Sequence, residues 1–320
     1  MAAPAARFDC FDGLNLTQGF SSSVPPAVME QELVPRYTVI SPVRDEEQFV
    51  EVTIESLVGQ TLRPAEYIIV DDGSTDRTGA IIDGYAGKYP WIRAVHRSNR
   101  GFRKPGGGVI EAFYAGFNAL ACADWDFLVK LDGDLSFGPT YFEELFRRFQ
   151  DNPKLGLAGG GIYHFENGAK VLEKCPVFHV RGATKVYRRE CWQAIGGLWT
   201  GPGWDAIDEL KADMLGWSSR SFLDLELVQH RFTGAASGRW NGAVKDGRAD
   251  YACGYHPLYL LAKCCARLAR RPYIVGSLAL LYGYMTGYFK RLPRVDDRQF
   301  IRHVRAQQMA RLLHRPTIWK

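Results

Sequence analysis

Tyr67-Ile68-Ile69-Val70 runs without a break into Asp71-Asp72-Gly73-Ser74-Thr75-Asp76. Four apolar, largely β-branched residues closed by Asp and Gly read as a short strand buried on both faces. Ser74 or Thr75 as N-cap and Asp76 in the first turn then start a helix over 75–88. A buried strand that feeds straight into a helix is half of a β-α-β unit and asks for parallel neighbours. One lies on each side. Upstream, Tyr37–Val43 (YTVISPV) is a second strand, followed by a helix-period stretch from Gln48 to Leu57 with Phe49, Val52, Ile54 and Leu57 apolar. Downstream, Ile92–His96 is a third strand, Val109–Ala121 a helix entered through Gly106-Gly107-Gly108, and Asp126–Leu131 a fourth strand stopping at Asp132-Gly133-Asp134. Strands alternating with helices predict an α/β fold with a mainly parallel sheet.

Composition agrees and narrows the class. The chain has 320 residues, 46% of them hydrophobic and 23% charged, which fits a globular α/β protein and excludes global disorder, collagen and a polytopic membrane protein. The net charge of +5 is unevenly spread. Cys264–Lys320 holds twelve Lys/Arg against two Asp, while the preceding residues hold 28 Lys/Arg against 33 Asp/Glu. A mildly acidic body with a basic tail suits an anionic partner. The seven cysteines include no C-x-x-C pair, so a zinc ribbon and a disulfide scaffold are not expected, and reduced thiols in a cytosolic protein are. Residues 1–35 are rich in Ala, Ser and Pro, lack the basic start and apolar run of a secretory signal, and are expected to form a flexible arm.

Polar residues gather at one place in this pattern. Asp45-Glu46, Asp71-Asp72 and Asp132/Asp134 each follow the carboxyl end of a predicted parallel strand, the edge where open α/β sheets bind ligands. Two carboxylates flanking Gly133 can address one Mg²⁺ or Mn²⁺ together with phosphate oxygens; an ordinary D-G-D turn has the same letters.

Taken together, Pro42-Val43-Arg44-Asp45-Glu46-Glu47, Ile69-Val70-Asp71-Asp72-Gly73-Ser74-Thr75-Asp76 and Leu131-Asp132-Gly133-Asp134 resemble, in order and spacing, the family 2 glycosyltransferases of the GT-A fold. The resemblance covers residues 37–227. It implies a Rossmann-like sheet, a nucleotide-diphosphate sugar donor, inversion at the anomeric carbon and a divalent metal, Mg²⁺ or Mn²⁺. Pro42, Arg44, Glu46 and Asp72 would then line the nucleoside pocket, although Arg44-Asp45 replaces an aromatic-Asn pair common in the family. Asp132 and Gly133 would lie towards the ribose and metal, and Asp134 would bind the metal. Arg103, beside Arg100 and Lys104 ahead of the glycine turn, would face the diphosphate, unless this is a solvated basic loop. The family's general base corresponds to Asp205 of Gly203-Trp204-Asp205, which Gly216-Trp217 follows at the family's spacing. Asp208 and Glu209, one turn later, are the competitors, and Asp205 also suits a plain helix N-terminus. Ser237-Gly238-Arg239-Trp240 resembles the end of the Q-x-x-R-W element of processive members, with Ala236 in the glutamine's place. Arg239 would meet the diphosphate and Trp240 stack on a sugar; a packed Trp beside a surface Arg is the competing reading. His230 is a candidate late metal ligand or a simply satisfied histidine.

The remaining segments are less regular. Pro176–Tyr187 reads as strand and turn, Arg189–Ile195 and 205–215 as helices, and Phe222–Val228 as a strand. Gly234–Gly254, with five glycines and no clear period, reads as a binding or lid loop. Tyr273–Phe289 has 17 uncharged residues between Arg270-Arg271 and Lys290-Arg291, short for a span and basic at both ends, so an interfacial, re-entrant or packed helix is expected. Gln299–His314 interleaves Phe300, Val304, Met309 and Leu312 with arginines, either as an anionic-lipid helix or as one docked on the core. No nucleic-acid motif accompanies the charges. The expected organisation is an arm (1–35), a catalytic domain (36–260, its nucleotide part 36–135 and acceptor part 136–260) and a basic helical extension (261–320). The expected function is sugar transfer to a saccharide or lipid-linked acceptor at the cytoplasmic face of a membrane. The rivals are transfer to a polyprenyl phosphate and a catalytically inactive nucleotide-sugar-binding scaffold.

Overall fold

The computed structural model describes residues 34–101, 107–231, 238–268 and 273–319; the expected arm and Arg103 lie outside them. From Pro35 onward the chain forms one compact unit. Its first half runs β1 (Tyr37–Val43), α1 (Val50–Val58), β2 (Glu66–Asp71), α2 (Thr78–Lys88), β3 (Ile92–His96), α3 (Gly107–Asn118) and β4 (Phe127–Leu131). Then come β5 (Leu135–Phe137), α4 (Tyr141–Asp151), β6 (Leu155–Glu166), β7 (Ala169–Leu172), β8 (Thr184–Arg188), α5 (Arg189–Ile195), α6 (Trp204–Met214) and β9 (Ser218–Gln229). Four helices close the chain: α7 (Gly238–Ala252), α8 (Pro257–Leu268), α9 (Tyr273–Phe289) and α10 (Arg298–Leu312).

The sheet has the order β3-β2-β1-β4-β8-β6-β9-β5, with β7 paired to β6. The first four strands are parallel, as their apolar runs predicted, and in register Val43 faces Asp71 and Ile40 faces Lys130. Beyond β4 the sheet turns mixed: β8 is antiparallel to β4 and to β6, and β5 antiparallel to β9. Side chains alternate between the two faces, as the period of a strand requires. Val39, Tyr67, Ile69 and Val129 pack with α1, α2 and α4, while Ile40, Ile68, Val70 and Leu128 pack with α3, α5 and α6. The parallel strands are thereby buried on both sides. Their carboxyl ends, with the acidic clusters, remain the open edge.

In the second half one expectation changes and one pair of alternatives is resolved. The glycine-rich segment expected as a loop is largely helix α7. Gly247 of α7 and Gly283 of α9 serve a helix crossing: a Cβ on Gly247 would lie 2.0 Å from the Leu280 carbonyl oxygen, and one on Gly283 2.2 Å from that of Val244. Small residues let two helix backbones meet at this distance. The basic amphipathic segment is the docked form of its two readings. Asp297 caps α10 by accepting from the Gln299 and Phe300 N–H groups, and Phe300 and Val304 pack with Ile207 and Leu210 of α6. Its apolar face is therefore covered. Among the described residues no helix is long and apolar enough to cross a membrane.

Candidate active site

The loop after β1 and the turn after β2 hold each other. Asp45 takes a left-handed backbone (φ 52°), a conformation that Asp and Asn adopt more readily than other non-glycine residues. Its N–H donates to Ser74 Oγ at 3.0 Å and its carboxylate accepts from the Thr75 N–H at 2.9 Å. The Glu46 N–H donates to Thr78 Oγ1 at 2.8 Å, and its carboxylate pairs with Arg231 at 2.8 Å. Helix α2 starts at Thr78 with Arg77 as its N-cap in place of the expected Ser74 or Thr75, and the Asp76 carboxylate accepts from the Thr78 N–H at 3.0 Å. The two adjacent acids of β2 divide their work. Asp71 is structural, accepting from the Ser74 N–H at 2.8 Å and lying 3.1 Å from His96 Nδ1. Asp72 faces the cleft, its N–H on the Val43 carbonyl and its carboxylate paired with Arg97 at 2.6 Å and with Arg100. Arg100 also reaches Glu111 at 2.9 Å, so its charge is shared within the protein. Pro42 is half-buried near the end of β1, and the Arg44 guanidinium donates to Asn99 at 3.1 Å.

Asp132-Gly133-Asp134 sits beside this loop. A Cβ on Gly133 would fall 2.5 Å from Val43 Cγ1, so only glycine lets the turn lie against the end of β1. Asp134 is 5% exposed. Its Oδ2 accepts from Gln229 at 3.1 Å, while its Oδ1 is buried without a hydrogen-bond partner among the described residues. Burial, helped by the nearby Asp132 charge, pushes the Asp134 carboxyl up to about 6, against the smaller opposing effects of Gln229, Arg231 and Lys130. A buried carboxylate with an orphaned oxygen fits a hard cation. No group of three or more His, Cys, Asp or Glu is arranged for a metal among the described residues; a cation held by one or two carboxylates and completed by phosphate and water needs no such group. His230 supports Asp134 through its backbone, donating its N–H to the Asp134 carbonyl at 2.8 Å. Its ring lies on Phe49 and against Ser136.

Below this edge are two buried lysines that pattern reading did not single out. Lys130, the next-to-last residue of β4, bonds Asp132 and the Gly182 carbonyl. Lys185, in β8, donates to both oxygens of Asp208 (2.9 and 2.8 Å), to Glu209 (3.0 Å) and to the backbone oxygen of Asp205 (2.7 Å). Both ammonium groups lie over the Trp204 ring, at 5.3 and 5.7 Å. Charges inside buried strands are rare unless paired, and a Lys within Phe127-Leu128-Val129-Lys130-Leu131 was the available signal. Asp208 is 1% exposed, and Tyr187 donates to it at 2.6 Å as well. Asp205 differs. Its side chain accepts no hydrogen bond from the described residues, and although burial alone would raise its carboxyl, Lys185, His179, Arg181 and Lys245 hold it below the usual carboxylate range. Trp240, in the first turn of α7, lies 6.2 Å from the Tyr282 ring of α9, and Arg239 precedes it in the same turn.

A parallel β-α-β half with acids along its carboxyl edge, extended by a mixed sheet bearing a second acidic group, is the GT-A class of architecture. The mannosyltransferase PcManGT of Pyrobaculum calidifontis, solved with GDP-Man and Mn2+, aligns over 80% of this chain and 88% of its own at a TM-score of 0.54 and 18% identity. Residues 1–349 of S. aureus TarS, solved with UDP-GlcNAc, align over 82% of this chain and 74% of that one at 0.51 and 17% identity. Residues 38–174 match the family described as Glycosyl transferase family 2. The glycosyltransferase EpsJ of Bacillus subtilis is 33% identical over 131 residues, which is 41% of this chain and 35% of EpsJ. The chain thus spans about a third of that relative's length.

Proposed function

We propose that this protein transfers a sugar from a nucleotide-diphosphate sugar to a hydroxyl of a saccharide or lipid-linked acceptor in glycan biosynthesis, with inversion. The observation that carries the proposal is the buried Asp134 carboxylate with one unpartnered oxygen, set at the strand edge beside Glu46 and Asp72. The neighbours solved with GDP-Man and with UDP-GlcNAc support the donor class. Pro42, Arg44, Glu46 and Asp72 form the nucleoside side, with Asp72 braced by Arg97 and Arg100. Asp134 and Asp132 would hold Mg²⁺ or Mn²⁺, which supplies charge neutralisation for the departing diphosphate. Arg231, paired with Glu46 and acting on Asp134 through space, adds a cation on the same side.

Asp205 is the general base. Its depressed carboxyl is ionised at neutral pH and carries no competing side-chain bond, whereas Asp208 has both oxygens committed to Lys185 and Tyr187. Asp205 takes the acceptor's hydroxyl proton. The hydroxyl oxygen then bonds the anomeric carbon as the bond from that carbon to the diphosphate oxygen breaks. Inversion follows from attack opposite the leaving group. We assign Trp240 to the α9 side of the molecule and not to the sugar, because its ring packs on Tyr282. We place the reaction at the cytoplasmic face of a membrane, with the basic C-terminal region towards the lipid. The test is incubation with UDP-, GDP-, dTDP- and CDP-sugars and Mn²⁺ or Mg²⁺, reading nucleoside diphosphate release and the anomeric configuration of the product by NMR. Release with one donor and an inverted product supports the reading. A retained configuration overturns the Asp205 mechanism, and no release with any donor overturns the activity.

A further inference from the structure

α9 is apolar all round, yet only half of it is covered. Gly276, Ala279, Leu280, Gly283, Tyr284 and Gly287 are buried towards its neighbours. Ile274, Leu278, Leu281, Met285 and Phe289 form a stripe along the opposite side, and the large residues on that side are 40–80% exposed. Spacings of three and four residues put them on one helix face. On α8, which packs beside α9, Leu258, Leu261 and Leu268 repeat the pattern and are also exposed. Isolated surface leucines need no explanation, but two adjacent helices with unbroken apolar outer faces do.

The chemistry around the face points to its occupant. Between Tyr251 and Val295 the sequence has seven Lys/Arg and no Asp or Glu. Lys290, Arg291 and Arg294 are exposed just beyond the end of α9. Trp240, Tyr273, Tyr282 and Tyr288, all more than 40% exposed, supply aromatic rings with a polar tip, which favour the boundary between water and lipid. With 17 residues, α9 extends about 26 Å at 1.5 Å per residue, too short to cross a bilayer core of about 30 Å. A helix this short, with one apolar side uncovered and basic residues at its ends, suits the interface instead. A second copy of the chain would bring the same unbalanced cations to the same face.

We infer that the outer face of α9 and the adjoining face of α8 form a membrane-docking surface that lies flat in the headgroup region of an anionic bilayer. α10, whose arginines suggested the same role, is excluded because its apolar side is docked on α6. The surface is one helix away from the proposed base: α7 crosses α9 through Gly247, and its Ala249 lies against Gly203, two residues before Asp205. Docking therefore turns the acceptor side of the site towards the lipid. That consequence rests on the reading of Asp205 given above; the docking itself does not.

The test is flotation of the full chain with vesicles of phosphatidylcholine alone or mixed with phosphatidylglycerol. The protein is expected to float with the mixed vesicles. Leu278→Glu with Met285→Glu is expected to lower the bound fraction on the order of tenfold, by placing charge in the buried layer. Lys290→Gln, Arg291→Gln and Arg294→Gln together should remove the preference for anionic vesicles. An unchanged thermal midpoint shows that each variant is folded. Failure of the wild type to float, or equal flotation of a folded Leu278→Glu/Met285→Glu variant, overturns the proposal. So does a wild-type dimer that ignores vesicles and is dispersed by the same two substitutions, since a second copy then covers the face. Vesicle binding by a protein that uses soluble acceptors as well as lipid-linked ones keeps the surface and rejects only the lipid acceptor.

Discussion

Asp134, the carboxylate proposed to hold the metal, carries a pH dependence of stability opposite in sign to that of Asp205. Its carboxyl is pushed up to about 6 by burial and then by Asp132, so the metal-free folded protein holds this proton more tightly than the unfolded chain does. Its contribution to stability therefore falls as pH rises from about 4 through about 6. Asp134→Asn should raise the stability of the metal-free protein at neutral pH by ~1–3 kcal/mol, seen in thermal unfolding, while abolishing metal-dependent nucleotide binding. Asp205 has the opposite sign: its depressed carboxyl contributes stability above its unfolded pKa that is lost as pH falls through the folded value. Asp205→Asn should lower kcat by about 10²–10⁴-fold with nucleotide affinity unchanged, measured by steady-state kinetics and calorimetry. Lys185→Met would strand Asp208 and Glu209 without their buried partner and should cost about 3–5 kcal/mol in denaturant unfolding. The acids of the site were legible because they follow strand ends. Lys130, Lys185 and Arg97 were not, since their roles depend on which strands lie side by side.

At the level of elements, apolar runs and helix starts set β1 to β4 within a residue or two, and β3 and α5 match their expected bounds. These elements follow local rules of period and capping. α7 did not follow them. Its glycines carry the same letters as a loop, and their use as a contact surface appears only when α9 lies across them. Gly247→Leu should therefore cost at least about 1–3 kcal/mol, because the Leu280 backbone it would meet cannot turn aside as a side chain can, and thermal unfolding would show it. β6 and β9 were missed in part for a related reason. β6 has no reading in the sequence and β9 only one over Phe222–Val228; a Cβ on Gly160 would lie 2.1 Å from the Leu225 carbonyl oxygen, so the packing of these strands requires a glycine whose use appears only once they lie side by side.

Across the whole molecule, the proposed nucleotide half is the part a sequence describes best, because its candidate residues lie in short motifs at the ends of consecutive strands. The family match covers the same part, residues 38–174. The proposed acceptor half is assembled from β8, α6, α7 and α9, which are distant in sequence and meet only in the fold. The basic tail was legible as charge; that α10 uses its apolar face internally while α9 leaves one uncovered required the structure. The central claim is that Asp134 makes this edge a metal-dependent nucleotide site. It is tested most directly by thermal unfolding of wild type and Asp134→Ala with UDP, GDP, dTDP and CDP, each with and without Mn²⁺. A ligand that binds only the folded state raises the midpoint. The expected result is a Mn²⁺-dependent rise with one nucleotide in the wild type, absent in Asp134→Ala; no rise with any nucleotide, or an equal rise in the variant, would contradict the account.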